Sequence, residues 1–372
     1  MKMKIDLVYL YVDGNDENFQ KEKLFWEEKL NISNSRDNNG TRYIDNEELR
    51  YSLRSVKKYA PWINNIYIIT NGQIPKWFNI KKSGKIKFIN HSDFIPKQYL
   101  PTFNSRVIES YIANIPELSE YFLYANDDML MNKPIRPEFF FNENNKPIVR
   151  LIKRDVIHRK VNNTGYNRAI LHSINLINKK YGTIYNFKPH HNIDSYTKTS
   201  FLECIDAFKD EFEKLRKQKF RQKSIQRIIF SLYMLENNQA ELEVISPKDK
   251  YIHENSLCKN IMPVEKMQER ILKNTPQLIC FNDEDTVDEK DRKNLMYFYE
   301  ILYPKVQKWE KYPNLKIDKN LLAKYKKTYF RAKLKYNKIF SIQEEKKNNT
   351  TRKVVKFLGL KFKFKIKEKN NA

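Results

Sequence analysis

The chain has 372 residues, 40% hydrophobic and 13% aromatic with only 7 glycines. That is enough apolar material for one large domain or two smaller ones, and it excludes global disorder. A count of 70 Lys and Arg against 45 Asp and Glu gives a formal charge of +25, which points to anionic partners without choosing among nucleotide sugars, phosphorylated glycans, lipid and nucleic acid. Cys204, Cys258 and Cys280 stand far apart with no CxxC pairing, so neither a disulfide framework nor a zinc site is suggested, and a reducing cytoplasm fits.

From Met1 the chain runs straight into a strand-like stretch over 5–12, too short for a secretory segment, and nothing approaches the roughly 20 apolar residues of a membrane span. In chain order, short β-branched and aromatic runs at 5–12, 65–70, 85–89 and 121–124 alternate with helical periodicity. This is the sequence form of a parallel sheet with crossover helices, and the fold class expected is α/β. Residues 31–41 read as a polar mobile loop. Asp45 or Asn46 is placed to cap a helix with Leu49, Leu53, Val56 and Ala60 on its apolar face, ended by Pro61. A second helix is expected from Asn104 or Ser105, carrying Val107, Ile108, Tyr111 and Ile112 inward and stopping before Pro116. Residues 150–245 read as mainly helical. There Thr199 or Ser200 caps a stripe of Phe201, Ile205, Phe208, Phe212 and Leu215, and Ile225, Ile229, Leu232 and Leu235 mark the next helix. Helical periodicity returns from 287 to about 345 and becomes more basic after Lys305.

The residues that follow each strand carry the chemistry. Asp13-Gly14-Asn15-Asp16, Asn71-Gly72, Asn90-His91 and Asn126-Asp127-Asp128 come after the four runs. Ligands of open α/β sheets bind at the carboxyl ends of strands, so these clusters suggest one shared site, although Asp, Asn and Gly are also ordinary turn residues. Asp127 and Asp128 are hard oxygen donors suited to Mg²⁺ or Mn²⁺ on a diphosphate. His190-His191 with Asp194 offers imidazole beside carboxylate, a general base with an orienting acid. Arg221 is expected to open a helix with a guanidinium suited to phosphate. Asn282-Asp283, after the apolar run Leu278-Ile279-Cys280-Phe281, either completes a metal sphere, holds a sugar, or is a turn. Neither a P-loop nor a dinucleotide loop, GxSxG elbow or HExxH motif is present.

These segments, taken in order, resemble the Stealth proteins, a family that includes bacterial capsular polysaccharide phosphotransferases. Asp6 to Asp16 resembles the first block. The second runs from Arg42 through Asp45-Asn46-Glu47-Glu48-Leu49-Arg50-Tyr51-Ser52-Leu53-Arg54-Ser55, Ala60-Pro61-Trp62, residues 68–75 and Leu100-Pro101-Thr102-Phe103 to Asn126-Asp127-Asp128. His191-Asn192-Ile193-Asp194 with Phe220-Arg221 resembles the third, and Asn282-Asp283 the fourth. The resemblance implies a mostly parallel Rossmann- or GT-A-like sheet flanked by helices, with a helical middle insertion and a helical C-terminal extension. It implies that Asp13, Asp127, His191, Arg221 and Asp283 belong to the active site, with His190 the alternative to His191. Asp127, Asp128 and Asp283 become the Mg²⁺ or Mn²⁺ ligands, and Gly14 lets the backbone approach a nucleotide. Arg50, Asn71 and Asn282 become substrate contacts.

The expected reaction moves a hexose 1-phosphate from a UDP-sugar donor, UDP-GlcNAc or a similar UDP-HexNAc, to a hydroxyl of a glycan acceptor, releasing UMP. A glycosyltransferase releasing UDP and a non-catalytic polyanion-binding module are the alternatives. The organisation expected is a catalytic domain over 1–285, a basic helical extension over 286–345 and a basic tail over 346–372. Cationic and apolar residues alternate in the tail, from Val354-Val355-Lys356-Phe357 to Phe364-Lys365-Ile366-Lys367. Contact with an anionic membrane surface is expected there, on the cytoplasmic face of the cell membrane, with nucleic-acid binding the rival and a β-hairpin the structural alternative.

Overall fold

The computed structural model describes residues 3–32, 43–153, 165–222, 224–246, 253–257, 264–282, 287–336, 340–347, 350–357 and 360–365. The expected loop at 31–41 lies almost wholly outside these residues. The first half contains β1 (Ile5–Leu10), α1 (Glu17–Lys29), α2 (Glu48–Tyr59), β2 (Ile66–Thr70), β3 (Ile86–Asn90), α3 (Ser105–Glu109), β4 (Tyr121–Asn126) and β5 (Met129–Met131). The middle contains β6 (Ile148–Lys153), α4 (Gly165–Tyr181), β7 (Phe187–Pro189), β8 (Asp194–Thr197), α5 (Lys198–Ala207), α6 (Lys209–Arg216), α7 (Ile228–Glu236) and β9 (Glu241–Ile245). Then follow β10 (His253–Leu257), α8 (Val264–Asn274), β11 (Leu278–Asn282), α9 (Glu289–Leu302), α10 (Lys319–Tyr336), β12 (Phe340–Lys347), β13 (Thr350–Phe357) and β14 (Leu360–Lys365).

The central sheet has the order β3-β2-β1-β4-β8. β1, β2, β3 and β4 are parallel and β8 is antiparallel to β4, so the α/β expectation with a mostly parallel sheet holds. The strands are near-continuous apolar runs because both faces are covered. Val8, Tyr67, Ile69, Phe122 and Tyr124 pack against residues of α4, α5, α6 and α7. Leu7, Tyr9, Ile66, Ile68, Leu123 and Ala125 pack on the other face against Leu49, Leu53 and Val56 of α2. The one charged residue inside β1, Asp6, is fully satisfied: Oδ1 accepts from Asn64 Nδ2 at 2.8 Å and Asn65 N at 2.9 Å, and Oδ2 from Ser119 N at 2.7 Å. It thereby fixes the entries to β2 and β4 against β1. β5 leaves the sheet and pairs antiparallel with β11, Cys280 opposite Met129.

Several boundaries differ from expectation. α2 begins at Glu48 after Glu47 in the left-handed region (φ 62°), with no side-chain cap. Asp45 binds the amide of Glu47 and Asn46 binds Glu48, so both expected caps are occupied elsewhere. α5 is capped two residues early, by Thr197, whose hydroxyl accepts from Ser200 N. Arg221 stands in the loop ahead of α7 and does not open a helix. The helical pattern expected to about 345 stops at Tyr336. The three strands beyond it form an antiparallel sheet in the order β12-β13-β14, which matches the hairpin alternative for the tail extended by one strand. Among the described residues no helix is long and apolar enough to cross a membrane.

The stretch after α9 returns to α2. Glu310, with a fully buried side chain, accepts from Arg54 Nε at 2.8 Å and Nη2 at 2.7 Å, and from Arg50 Nη1 at 3.3 Å. Arg50 also bonds Glu47 and the carbonyl of Tyr312, and stacks over Trp77 at 4.7 Å. Backbone bonds from Asn79 N to Trp309 O and from Lys311 N to Trp77 O close the same contact. Glu310→Ala leaves two guanidiniums buried without their shared carboxylate and is expected to cost about 3–5 kcal/mol. Urea unfolding of the full chain checks this.

Candidate active site

A cleft of about 360 Å³ opens at the carboxyl edge of the central sheet. Its floor is Leu10, Tyr11 and Val12 after β1, Asn71 after β2, and Asn126, Asp127 and Asp128 after β4; Tyr43 and Phe103 line it too, with Arg106, His191, Arg221 and Arg227. Tight parallel pairing of β1 with β2 and β4 sets the three strand ends side by side.

Asp127 and Asp128 form the turn between β4 and β5, so the turn reading and the site reading are both true. Burial, then the neighbouring Asp128 and Asp45, push the Asp127 carboxyl well above its usual range. Burial raises Asp128 to about 6. Its Oδ2 accepts from the Cys280 thiol at 3.3 Å, and its Oδ1 is shielded from solvent with no partner. Glu48, at the start of α2, completes the acidic wall. Its oxygens accept from Asn46 N and Nδ2, both at 2.7 Å, and its carboxyl is held up by burial, then by Asp127 and Asp45. Crowded, at least half-buried carboxylates of this kind are costly without a cation.

Arginines line the same cleft. Phe220 stacks on Phe103 with centroids 4.9 Å apart and planes 12° from parallel, and Phe103 N donates to Lys219 O. That contact delivers Arg221, whose Nη2 bonds Ser105 Oγ at 2.6 Å. Arg106 Nη1 bonds Gln222 O and Ser224 Oγ at 3.2 and 3.0 Å. Arg227 bonds Asp194 Oδ2 through Nε at 3.1 Å and Nη2 at 2.7 Å, lies 3.5 Å from Glu109, and stacks on Tyr124 at 4.2 Å. Tyr124 Oη lies 2.9 Å from Glu109 Oε1 and 3.0 Å from Asn126 Oδ1, so one buried chain of contacts joins the loop of His191 to the end of β4.

The cleft brings together Asn71, Asp127, Asp128, His191 and Arg221 among the residues proposed from sequence. Asp194, expected to orient the histidine of the site, pairs instead with His190 at 2.9 Å, and His190 is 3% exposed. His191 is the one of the two that lines the cleft. Asp13 lies beside the cleft, its backbone bonded twice by the Gln73 side chain. The close approach at Gly14 is to the Tyr43 segment: an added Cβ would stand 2.2 Å from Tyr43 O. Arg50 is spent on Glu310, away from the cleft lining. Asn282 ends β11, and Asp283 lies outside the described residues. Sequence reasoning missed Arg227, Glu109, Arg106 and Glu48 as site residues. Arg227 precedes the apolar helix α7 and Glu109 ends a short helix, and neither position carries a local signal.

The cleft at the edge of a doubly covered parallel sheet defines an α/β protein with a switch-point ligand site. Residues 42–149 match Stealth protein CR2, conserved region 2, so over that stretch the chain is similar to the Stealth proteins. It is 36% identical over 222 residues to the capsular polysaccharide phosphotransferase LcbA of Neisseria meningitidis, covering 59% of this chain and 60% of that protein. With the exopolysaccharide phosphotransferase cps2G of Lactiplantibacillus plantarum the identity is 29% over 308 residues, 76% of this chain and 88% of the relative. With WcwK of Streptococcus pneumoniae, a capsular polysaccharide phosphotransferase, it is 29% over 348 residues, 84% and 100%. The match thus spans less than two thirds of the meningococcal relative. Among solved structures, the galactosyltransferase LgtC with donor and acceptor sugar analogues is a distant likeness, at 11% identity and TM-score 0.40 over 82% of this chain and 98% of that one.

Asp128 in the cleft and Asp194 behind Arg227 set opposite pH dependences. Burial alone would raise Asp194, but Arg227 and His190 hold its carboxyl at about 2. Its stabilising contribution is therefore complete above pH ~4 and lost as pH falls through about 2; Arg227→Gln should move that loss upward in urea melts across pH. Asp128, raised to about 6, has the reverse sign: without a divalent ion the protein loses stability as pH rises from about 4 through 6. Asp128→Asn is expected to raise metal-free stability at pH 7 by on the order of 1–3 kcal/mol, as read by thermal unfolding.

Proposed function

We propose that the chain transfers a sugar phosphate, moving a hexose 1-phosphate from a UDP-sugar to a hydroxyl of a surface glycan. The observation that carries this reading is one cleft lined by both clustered carboxylates and guanidiniums, in a chain whose relatives are named polysaccharide phosphotransferases. The donor set is tested by the orphaned Asp128 Oδ1 and the raised Asp127 and Asp128 carboxyls; a hard divalent cation fits them, and Asp127 and Asp128 would hold Mg²⁺ or Mn²⁺. Such an ion supplies neutralisation of phosphate charge.

Protein groups do the remainder. Arg221 and Arg106 are placed for the non-bridging phosphate oxygens, where planar guanidinium forks bind best. His191 takes the proton of the acceptor hydroxyl as its oxygen attacks the phosphorus that bears the hexose. The new bond joins acceptor oxygen to phosphorus, the bond from phosphorus to the UMP oxygen breaks, and a phosphodiester links two sugars. Asn71 and the backbone after β1 support the nucleotide end. A membrane role is assigned to the tail, since cationic and apolar residues alternate along the sequence of β14.

The test is nucleotide release. With a UDP-hexose, Mg²⁺ and a glycan acceptor, UMP is the expected product; Asp127→Ala and Arg221→Ala should each lower the rate by about 10²-fold or more. Release of UDP would mean glycoside formation by attack at the sugar carbon and would overturn the phosphotransfer reading. For the tail, removing residues 346–372 should abolish cosedimentation with vesicles containing anionic lipid, and undiminished cosedimentation would remove the membrane assignment.

A further inference from the structure

We propose that Asp128, His191 and Cys280 form a site for a thiophilic divalent cation of the zinc class, overlapping the magnesium site at Asp128 and stopping transfer when filled. The three donors come from separate elements: the turn after β4, the loop between β7 and β8, and the middle of β11. Their ligand atoms all lie within 4.8 Å of one another. Antiparallel pairing of Cys280 with Met129 sets the thiol beside the preceding residue, Asp128. The Sγ to Oδ2 separation is 3.3 Å, close to the ~3.5 Å edge of a tetrahedron with a ~2.3 Å metal–sulfur and a ~2.0 Å metal–oxygen bond.

The orphaned Asp128 Oδ1 leaves that carboxylate with unused coordinating capacity. Asp128 and His191 both line the cleft, so an ion reaches the buried thiol from solvent through it. Carboxylate, imidazole and thiolate together are a poor set for Mg²⁺, which takes oxygen ligands, and a good one for zinc-class ions. Three protein ligands leave one coordination position for water or phosphate. Binding expels the thiol proton to solvent. It also occupies an imidazole nitrogen of His191, so the base is silenced, and it withdraws Asp128 from Mg²⁺.

The inhibitory consequence rests on the proposed function, whereas binding does not, and the experiment separates them. The probe is Co²⁺ added to the full-length chain under reducing conditions. One equivalent should produce a near-ultraviolet thiolate-to-cobalt charge-transfer band that Zn²⁺ displaces and Mg²⁺ does not. The band should persist in Cys204→Ser and Cys258→Ser and vanish in Cys280→Ser and in His191→Ala, each checked for native circular dichroism. In the transfer assay at excess Mg²⁺, Zn²⁺ should inhibit. Relative to each protein's own zinc-free rate, Cys280→Ser should need about 10–100-fold more Zn²⁺ for half inhibition. No band in the wild type, or a band surviving in Cys280→Ser, overturns the site. Equal zinc sensitivity of wild type and Cys280→Ser overturns the inhibitory role. Absence of any transfer by the wild type with Mg²⁺ would count against the proposed function while the cobalt band still decides the ion site.

Discussion

Parallel pairing of β1 with β2 on one side and β4 on the other is the constraint on which the site depends. Parallel strands end at a common edge, so residues separated by more than a hundred positions in sequence meet at one cleft without long-range design of loops. Asp6 supports that register from within. Its carboxylate bonds the segments entering β2 and β4 and so couples the three strands at their opposite ends.

The cleft built on that edge is electrostatically divided. Asp127, Asp128 and Glu48 crowd one wall, and their carboxyls are raised because burial removes water that would otherwise stabilise the charge. The guanidinium wall comes from segments near 106, 221 and 227, tied down by Ser105, Ser224, Asp194 and Glu109. Repulsion among the carboxylates and the fixed guanidiniums are complementary under the proposed function, in which an anionic ligand with a divalent ion would relieve the first and use the second. The Arg50–Arg54–Glu310 cluster has a different purpose. It clamps the stretch after α9 onto the helix that carries Glu48, so the C-terminal part of the chain helps to hold the acidic wall.

Much of this was legible in the sequence. The apolar runs over 5–12, 65–70, 85–89 and 121–124 became β1, β2, β3 and β4 with small boundary shifts, because strands buried on both faces must be apolar along their whole length. Asn71 and Asp127, proposed because polar residues follow those strands, and Arg221, proposed from the resemblance, do line one cleft. Arg50 misled for an instructive reason: an arginine inside a motif looks like a phosphate contact, but here its partner lies 260 residues further along the chain.

Sequence by itself determined the fold class, the polar strand ends that line the cleft and the likeness to Stealth region 2, because these are written in local periodicity and contiguous motifs. Only the tertiary structure decided that His191 rather than His190 faces the cleft, since burial beside Asp194 is a property of packing. The same holds for Arg227 and Glu109, which stand at helix ends with no motif around them. It holds most clearly for Cys280. Its spacing from other cysteines suggested no metal site, and it stands 3.3 Å from Asp128 only because β11 pairs with β5. Coordination depends on distances between atoms, and those are set by strand pairing between distant segments rather than by any pattern along the chain.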